Sequence, residues 1–362
     1  MAETVLSNDL RYRARPTVRV DGQARGQLSA RINTFRVVEH AGGLSSLELR
    51  IANERGAEAD SAPYAFEDER DLALGSQITL YSGDEWKPRE IFRGRVSGIE
   101  AEFPDEGPAE LLVLAEDALQ GGRLVRRSKV YDDLKIKTLA EDVARTLSLT
   151  PKIAGFADGL GVHAQLNESD LAFLRRILRR YDGDVQVVGD ELHVSSRKEV
   201  KRGTIELQRN GQLRKARFIV DLAHQVTAMT TAGFDPDTGH PVTGSSTGSN
   251  LGPGTGRRGD TILRDKLTSR SEHVGYPPVH TKEMAQAVAD AAFDERARKF
   301  VIAHLTSEGN PQIRVGTNVT VSGTSKRFDN TYYVVQATHR FDLDRGYETD
   351  CEAECAFLGN PT

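Results

Sequence analysis

Gly75-Ser-Gln-Ile-Thr-Leu80 and Gly316-Thr-Asn-Val-Thr-Val321 share the pattern Gly-x-x-(Ile/Val)-Thr-(Leu/Val). In each copy a second glycine follows, Gly83 or Gly323. Sixteen residues after the first glycine a long alternating segment begins, at Ile91 or Tyr332. A turn and one more strand-like run come next, Glu110-Leu-Leu-Val113 or Tyr347-Glu-Thr-Asp-Cys-Glu352. Alternation of apolar and polar side chains marks half-buried strands. Six matching residues mean little alone, but strand, turn, strand, turn, strand at matched offsets is the mark of a copied module. The expected fold is therefore β-rich α+β, with two similar small β-barrels in the first and last thirds. Closed rings are common among homo-oligomers, and three copies of such a chain would present six similar modules around one axis.

The rest of the first third agrees. Val18, Val20, Leu28 to Val38, and Leu47, Leu49, Ile51 alternate with polar residues, separated by Asp21-Gly22 and Gly42-Gly43 turns. The middle changes period. Ile136, Leu139, Ala140, Val143 and Leu147 form one helical stripe that ends before Pro151. A second helix starts near Asn167-Glu-Ser-Asp170, where short polar side chains cap free N–H groups, and buries Leu171, Leu174, Ile177, Leu178 and Tyr181. Its opposite face is Arg175, Arg176, Arg179 and Arg180. Asp182-Gly183, Val185, Val187, Gly189-Asp190, Leu192 and Val194 then read as a hairpin.

These patterns predict a first β-barrel over 1–128, a small inserted α/β domain over 129–200 and a second barrel over 201–362. The last part carries a Gly/Ser/Thr-rich loop, about 243–275, and an alanine-rich helix, about 281–300. The run from Thr243 to Asp260 holds too few apolar side chains to offset its ordering entropy and is expected to be mobile.

Composition bounds the function. The chain has 362 residues, 48 Lys+Arg against 53 Asp+Glu and a net charge of −5. A slightly acidic chain is ill suited to coating nucleic acid, whose binding needs many neutralised phosphates. No apolar run approaches the ~20 residues of a membrane span, and the first residues lack the pattern of an export signal, so cytoplasmic folding is expected. Cys351 and Cys355, four apart on a strand, are too far separated to bridge and are expected to be reduced.

Several motifs invite chemistry. Gly244-Ser-Ser246-Thr-Gly248 matches G-x-S-x-G, and Asp260 or Asp290 with His304 or His339 could complete a hydrolase set, but Pro241 before and Ser-Asn-Leu-Gly-Pro-Gly after do not make a strand–helix elbow. Gly254-Thr-Gly256-Arg-Arg-Gly259 cradles phosphate only between a strand and a helix, and neither is expected there. Glu67-Asp-Glu69 reads as a solvated acidic loop, and the nine histidines show no close ligand spacing. No catalytic, cofactor or metal residue is therefore assigned. The face of Arg175, Arg176, Arg179 and Arg180 is a solvated surface, or else docks on an acidic subunit surface or lines a channel.

Gly309-Asn-Pro-Gln-Ile-Arg314-Val-Gly316, Val321-Ser-Gly323, Phe328-Asp-Asn330, Tyr332-Tyr-Val-Val335, His339-Arg-Phe341 and Gly346-Tyr-Glu-Thr349 together resemble the C-terminal barrel of the phage late control protein D family, the baseplate hub of contractile tails, similar to the hub half of the type VI secretion spike protein VgrG. Asn167 to Leu174 with Asp182-Gly183, Gly233-Phe-Asp-Pro236 and the helix before Gly309 extend the resemblance over most of the chain. It implies a homotrimeric hub of a phage tail, bacteriocin or extracellular injection system, joining the hexameric inner tube to a central spike. The hub assembles in the bacterial cytoplasm and is then carried in the particle, without nucleic acid or stable membrane association. The chain ends at Thr362, so the expected spike is a separate protein; baseplate wedge proteins are further expected neighbours. Arg175, Arg176, Arg179, Arg180, His339, Phe341, Arg345 and Tyr347 are the expected partner-facing residues. The rival reading is a tail-tip hydrolase acting on peptidoglycan or an ester through Ser246 or an acidic pair.

Overall fold

The computed structural model describes residues 15–54, 64–82, 87–156, 159–276 and 278–360. Gly83 and the first fourteen residues, on which the second repeat glycine and the export-signal reading rest, lie outside them.

The first third supplies β1 (Thr17–Val20), β2 (Gln23–Ala24), the short helix α1 (Gly26–Ala30), β3 (Ile32–His40), β4 (Ser46–Ala52), β5 (Gln77–Ser82), β6 (Arg89–Glu102) and β7 (Glu110–Glu116). A compact α/β unit follows, with β8 (Arg126–Tyr131), α2 (Ile136–Thr146), β9 (Thr150–Ala154), β10 (His163–Ser169), α3 (Asp170–Arg180), β11 (Gly183–Val188) and β12 (Glu191–Ser196). The last part holds β13 (Thr204–Gln208), β14 (Leu213–Val220), β15 (Ala228–Phe234), β16 (Pro241–Ser246), β17 (Arg257–Arg258), α4 (Gly259–Lys266), β18 (Ser271–Val274), α5 (Lys282–Arg298), β19 (Val301–Glu308), β20 (Asn318–Ser322), β21 (Asn330–Asp342), β22 (Gly346–Cys355) and β23 (Phe357–Leu358).

The helices form where the periodicity places them. Ser169 caps α3, its hydroxyl accepting from Ala172 N at 3.3 Å, and Thr281 caps α5 by accepting from Met284 N at 3.2 Å. Leu171, Phe173, Leu174, Ile177 and Leu178 of α3 pack with Leu139, Ala140 and Val143 of α2 and Val185, Leu192 and Val194 of the β11–β12 hairpin, a core distinct from that of the main sheet.

The duplication is legible strand by strand. The sheet order β3-β4-β7-β6-β5-β1 in the first third is repeated as β14-β19-β22-β21-β20-β13 in the last, with the members in the same chain order. Gly75 N donates to Val96 O at 2.9 Å and Val96 N to Ser76 O at 3.0 Å; Gly316 N donates to Val334 O at 3.0 Å and Val334 N to Thr317 O at 2.9 Å. Register breaks fall at the same places, between Val96 and Gly98 as between Val334 and Gln336, and between Ile32 and Thr34 as between Leu213 and Lys215. Bulges re-aim strands, so their repetition reflects a shared architecture rather than shared composition. One copy departs: β13 joins β20 in parallel, whereas β1 joins β5 antiparallel.

Two expectations change. The hydrogen bonding makes one thirteen-stranded sheet running through both thirds, in place of two separately closed barrels, because β21 pairs with β3 across the two copies. The offset that equated Ile91 with Tyr332 is also three residues off. Sixteen residues separate the partners Ile78 and Gly94, and thirteen separate Val319 and Tyr332, so the first copy has the longer turn and Gly94 is the counterpart of Tyr332.

The Gly/Ser-rich run is also built into the fold. Ser249 N and Asn250 N donate to the buried Asp294 carboxylate at 2.9 and 2.7 Å, Thr255 N donates to Asn330 Oδ1 at 3.0 Å, and β17 pairs with β23. Backbone hydrogen bonds to buried side chains supply what apolar burial within the run does not.

Candidate functional site

The first and last thirds of the sheet meet at a seam between β21 and β3. Asn330–Tyr333 of β21 pair with β20; beyond the bulge, Gln336–Phe341 pair on that side with His40–Phe35 of β3. Ala41 N closes the seam on Val335 O at 2.8 Å. Phe35 and Phe341 stand opposite one another with their rings stacked at 5.8 Å, and Tyr347 packs against Phe35 at 6.0 Å. Gly309 lies where a Cβ would come within 2.2 Å of the Tyr347 ring, which is why the chain entering β20 begins with glycine.

Polar groups are buried beneath these rings. Tyr347 Oη and Thr349 Oγ1 lie 2.8 and 3.3 Å from His339 Nδ1. Glu39, in β3, forms an ion pair with Arg314 and accepts from Val315 N at 3.2 Å. Burial acts to raise the Glu39 pKa, but the Arg314 charge and hydrogen bond outweigh it and hold the carboxyl below its ordinary range. Burial dominates at His339 and pushes its imidazole down to about 4, against the pull of Glu39. The unfolded chain takes up this proton below pH 6.5, while the folded chain refuses it until about 4. Stability from this group is therefore present above pH 6.5 and falls by about 1.4 kcal/mol per pH unit across that window. Burial of Asp117 raises its carboxyl to about 6, so its proton uptake in the folded state opposes this slope below pH 6. The difference in unfolding free energy between the parent and a His339→Leu variant, measured in urea between pH 7 and 4.5, should therefore carry the His339 slope.

Several residues expected to face partners do not. His339, Phe341 and Tyr347 are interior, because β3 covers the edge of β21 that an isolated barrel would expose. Arg175 donates to Gly42 O at 2.7 Å, Arg176 pairs with Glu168 at 2.7 Å, and Arg180 contacts His163 Nε2 at 3.1 Å and donates to Pro278 O at 3.2 Å. Arg175 and Arg180 tie the α/β unit to the rest of the chain, while Arg176 braces α3 against β10 within it. Arg176, Arg179 and Arg345 remain exposed.

Between α3, α5 and the sheet lies a groove of about 840 Å³, lined in part by Arg175, Arg179, His224, Glu295 and Lys299. At its floor Arg298 donates to Asp182 at 2.9 Å and to Asn250 O at 3.0 Å, and approaches Glu354 at 3.4 Å. Charge is matched within this cluster, and its geometry is that of a joint between four segments.

Sequence reasoning missed two uncovered strand edges. Gly98–Glu102, the second half of β6, pair with β7 on one side only, and the terminal strand β14 pairs with β19 on one side only; among the described residues no strand covers the other sides. Ile99 and Phe103 at one edge are 37% and 58% exposed, and Ile219 and Val220 at the other are each 38% exposed. The signal lay in the repeat: in the last third, the matching half of β21 is covered by β3.

The catalytic candidates come apart. Ser246 Oγ is buried and donates to Asp290 at 2.5 Å, while His339 lies in the seam and His304 on β19 faces Glu352 at 3.8 Å. A helix does begin at Gly259, against expectation, but Arg258 binds Asp260 in its first turn at 2.8 Å. Cβ atoms at Gly254 and Gly256 would meet Cys355 Sγ at 2.6 Å and Leu358 O at 2.3 Å, so these glycines serve close packing. Cys351 and Cys355 are free buried thiols, pushed up to about 12 by burial. No His/Cys/Asp/Glu cluster suited to a metal occurs among the described residues, and no helix among them is long and apolar enough to cross a membrane.

A family model described as the Alg8 N-terminal domain matches residues 14–342; that description states no activity. No curated protein matches the chain. Among solved structures, the 43 kDa tail protein of prophage MuSo2 from Shewanella oneidensis aligns with a TM-score of 0.68 at 12% identity, covering 94% of this chain and 97% of that one. A tail protein from Neisseria meningitidis aligns at 0.65 and 12%, covering 94% and 95%. A type VI secretion component from E. coli, described as structurally similar to T4 bacteriophage tail proteins, aligns at 0.59 and 12%, covering 92% and 76%. The chain thus belongs to the Alg8 N-terminal domain family, and its fold is the one shared by these phage tail and type VI secretion proteins.

Proposed function

We propose that this chain is a structural hub of a contractile tail or related injection apparatus. Three copies form a ring with an axial channel, offer six similar modules to a hexameric inner tube, and carry a separate spike on the far side. The observation that carries the reading is the duplicated strand order, including both repeated bulges, inside one continuous sheet. A threefold ring of such a chain reproduces sixfold geometry, which removes the symmetry mismatch with a six-subunit tube. The similarity to phage tail and secretion proteins supports the same role. The exposed Arg179 and Arg345 belong to the surfaces offered to neighbouring subunits, where charge sets register and rate of association.

The chain has no chemistry of its own in this reading. Ser246 gives its proton to a carboxylate rather than to an imidazole, which is the wrong partner for a serine nucleophile. The test is co-sedimentation with the inner tube protein of the same gene cluster. Capping of tube ends by the purified chain is expected; tubes that sediment without it would contradict the hub role.

A further inference from the structure

The internal seam is a template for the contact between copies. Its strands have counterparts: β6 corresponds to β21, and β14 to β3. The counterpart of the covered half of β21 is the open half of β6; the counterpart of β3 is the open strand β14. We propose, resting on the hub reading, that Gly98–Phe103 of one copy pair antiparallel with Ala216–Asp221 of the next, in the register of the seam.

That register follows from hydrogen bonds. Val96 matches Val334, so Gly98 to Phe103 match Gln336 to Phe341; Ile32 matches Leu213, so Phe35 to His40 match Ala216 to Asp221. In the seam Phe341 faces Phe35, Arg340 faces Arg36 and Ala337 faces Glu39. Between copies, Phe103 then faces Ala216, Glu102 faces Arg217, Ala101 faces Phe218, Glu100 faces Ile219 and Ile99 faces Val220.

The chemistry of the two edges fits this pairing. Ile99, Ala101 and Phe103 share one face of β6, and Val220, Phe218 and Ala216 meet them. This is the face that the seam buries with Phe341 and Phe35. On the opposite face Glu102 meets Arg217 directly, with Glu100 and Lys215 as diagonal neighbours. Slipping the pairing by one residue would set Glu102 among the apolar side chains and Ile99 among the charges. Open edges carrying apolar side chains invite strand addition, and here each edge is the other's complement. The contact is head-to-tail, so it excludes an isologous dimer, and a rotation of one third of a turn per chain closes seam and junction into a ring.

Cysteine pairs test the register. Ala41 N on Val335 O makes 41 and 335 a hydrogen-bonded pair, so Arg36 and Arg340 form a non-hydrogen-bonded one. Their counterparts Arg217 and Glu102 should approach to about 4.5 Å between Cα atoms, within disulfide reach. The native Cys351 and Cys355 are buried and will not compete. Mild oxidation of E102C/R217C should yield a covalent dimer and trimer ladder on denaturing gels, whereas A101C/R217C, whose side chains point to opposite faces, should not. Charge reversal supplies a second readout: E102R and R217E alone should each weaken assembly at least about tenfold, and E102R/R217E should restore it. If the unmodified chain forms a ring but E102C/R217C does not cross-link, or reversal is not rescued, this register is overturned and the hub reading stands. If the chain stays monomeric at every concentration, the hub reading falls and the pairing falls with it.

Discussion

Replacing Arg298 with methionine should lower the unfolding free energy by about 3 kcal/mol, the lower end of the cost of breaking a buried ion pair, because Asp182 loses its partner while Glu354 keeps Arg197 at 2.5 Å. The side chain is only 3% exposed and ends α5. It grips Asp182 in the turn after α3, the carbonyl of Asn250 in the polar run, and Glu354 on β22. Burial works against its charge, but the Asp182 pairing and the Glu354 carboxylate more than offset this and raise its pKa. Methionine fills comparable volume, so the loss reports the charges and hydrogen bonds rather than a cavity. Lysine should not rescue, because one ammonium cannot reproduce the two-pronged contact with Asp182. Urea unfolding followed by circular dichroism measures the effect. A shift under 1 kcal/mol would show that the joint between the α/β unit and the sheet is held elsewhere.

Arg314→Met should cost ~3–5 kcal/mol near neutral pH, since Glu39, at 2% exposed, loses its counter-charge inside the seam. The sign of the pH dependence identifies the cause. In the parent chain the Glu39 pKa lies below its ordinary value, so its stabilisation is present above the unfolded pKa and is lost as pH falls through the folded one. In the variant burial raises it, so the folded state gains by taking up a proton. The deficit relative to the parent should therefore shrink from pH 7 to pH 5. A deficit that is flat with pH would assign the loss to packing.

Much of the local chemistry was legible in the sequence, though not the short helix α4 inside the Gly/Ser-rich run. The stripe from Ile136 to Val143, the cap at Ser169 and the Gly189-Asp190 hairpin turn all depend on neighbours a few positions away. The copied module was legible because Gly75 and Gly316 make the same backbone bond in both places. What else failed depended on distant strands. His339, Phe341 and Tyr347 stand on alternating strands that read equally well as surface, and only the arrival of β3 turns them inward. The Gly/Ser run looked unable to order because its partners, Asp294 and Asn330, lie 44 and 75 positions away. Conversely, the apolar side chains of Ile99, Phe103, Ile219 and Val220 are exposed beside strand edges that no described strand covers, which the alternation of a strand does not reveal. Those failures share one physical source: a strand's pattern reports that a face is apolar, not which edge is covered.

Sedimentation equilibrium of the purified chain over a wide concentration range tests the central claim most directly. A hub built from a copied module should give a mass close to three times the 39.8 kDa of one chain. A mass that stays at one chain, or that settles at two, would contradict a threefold ring imitating sixfold geometry.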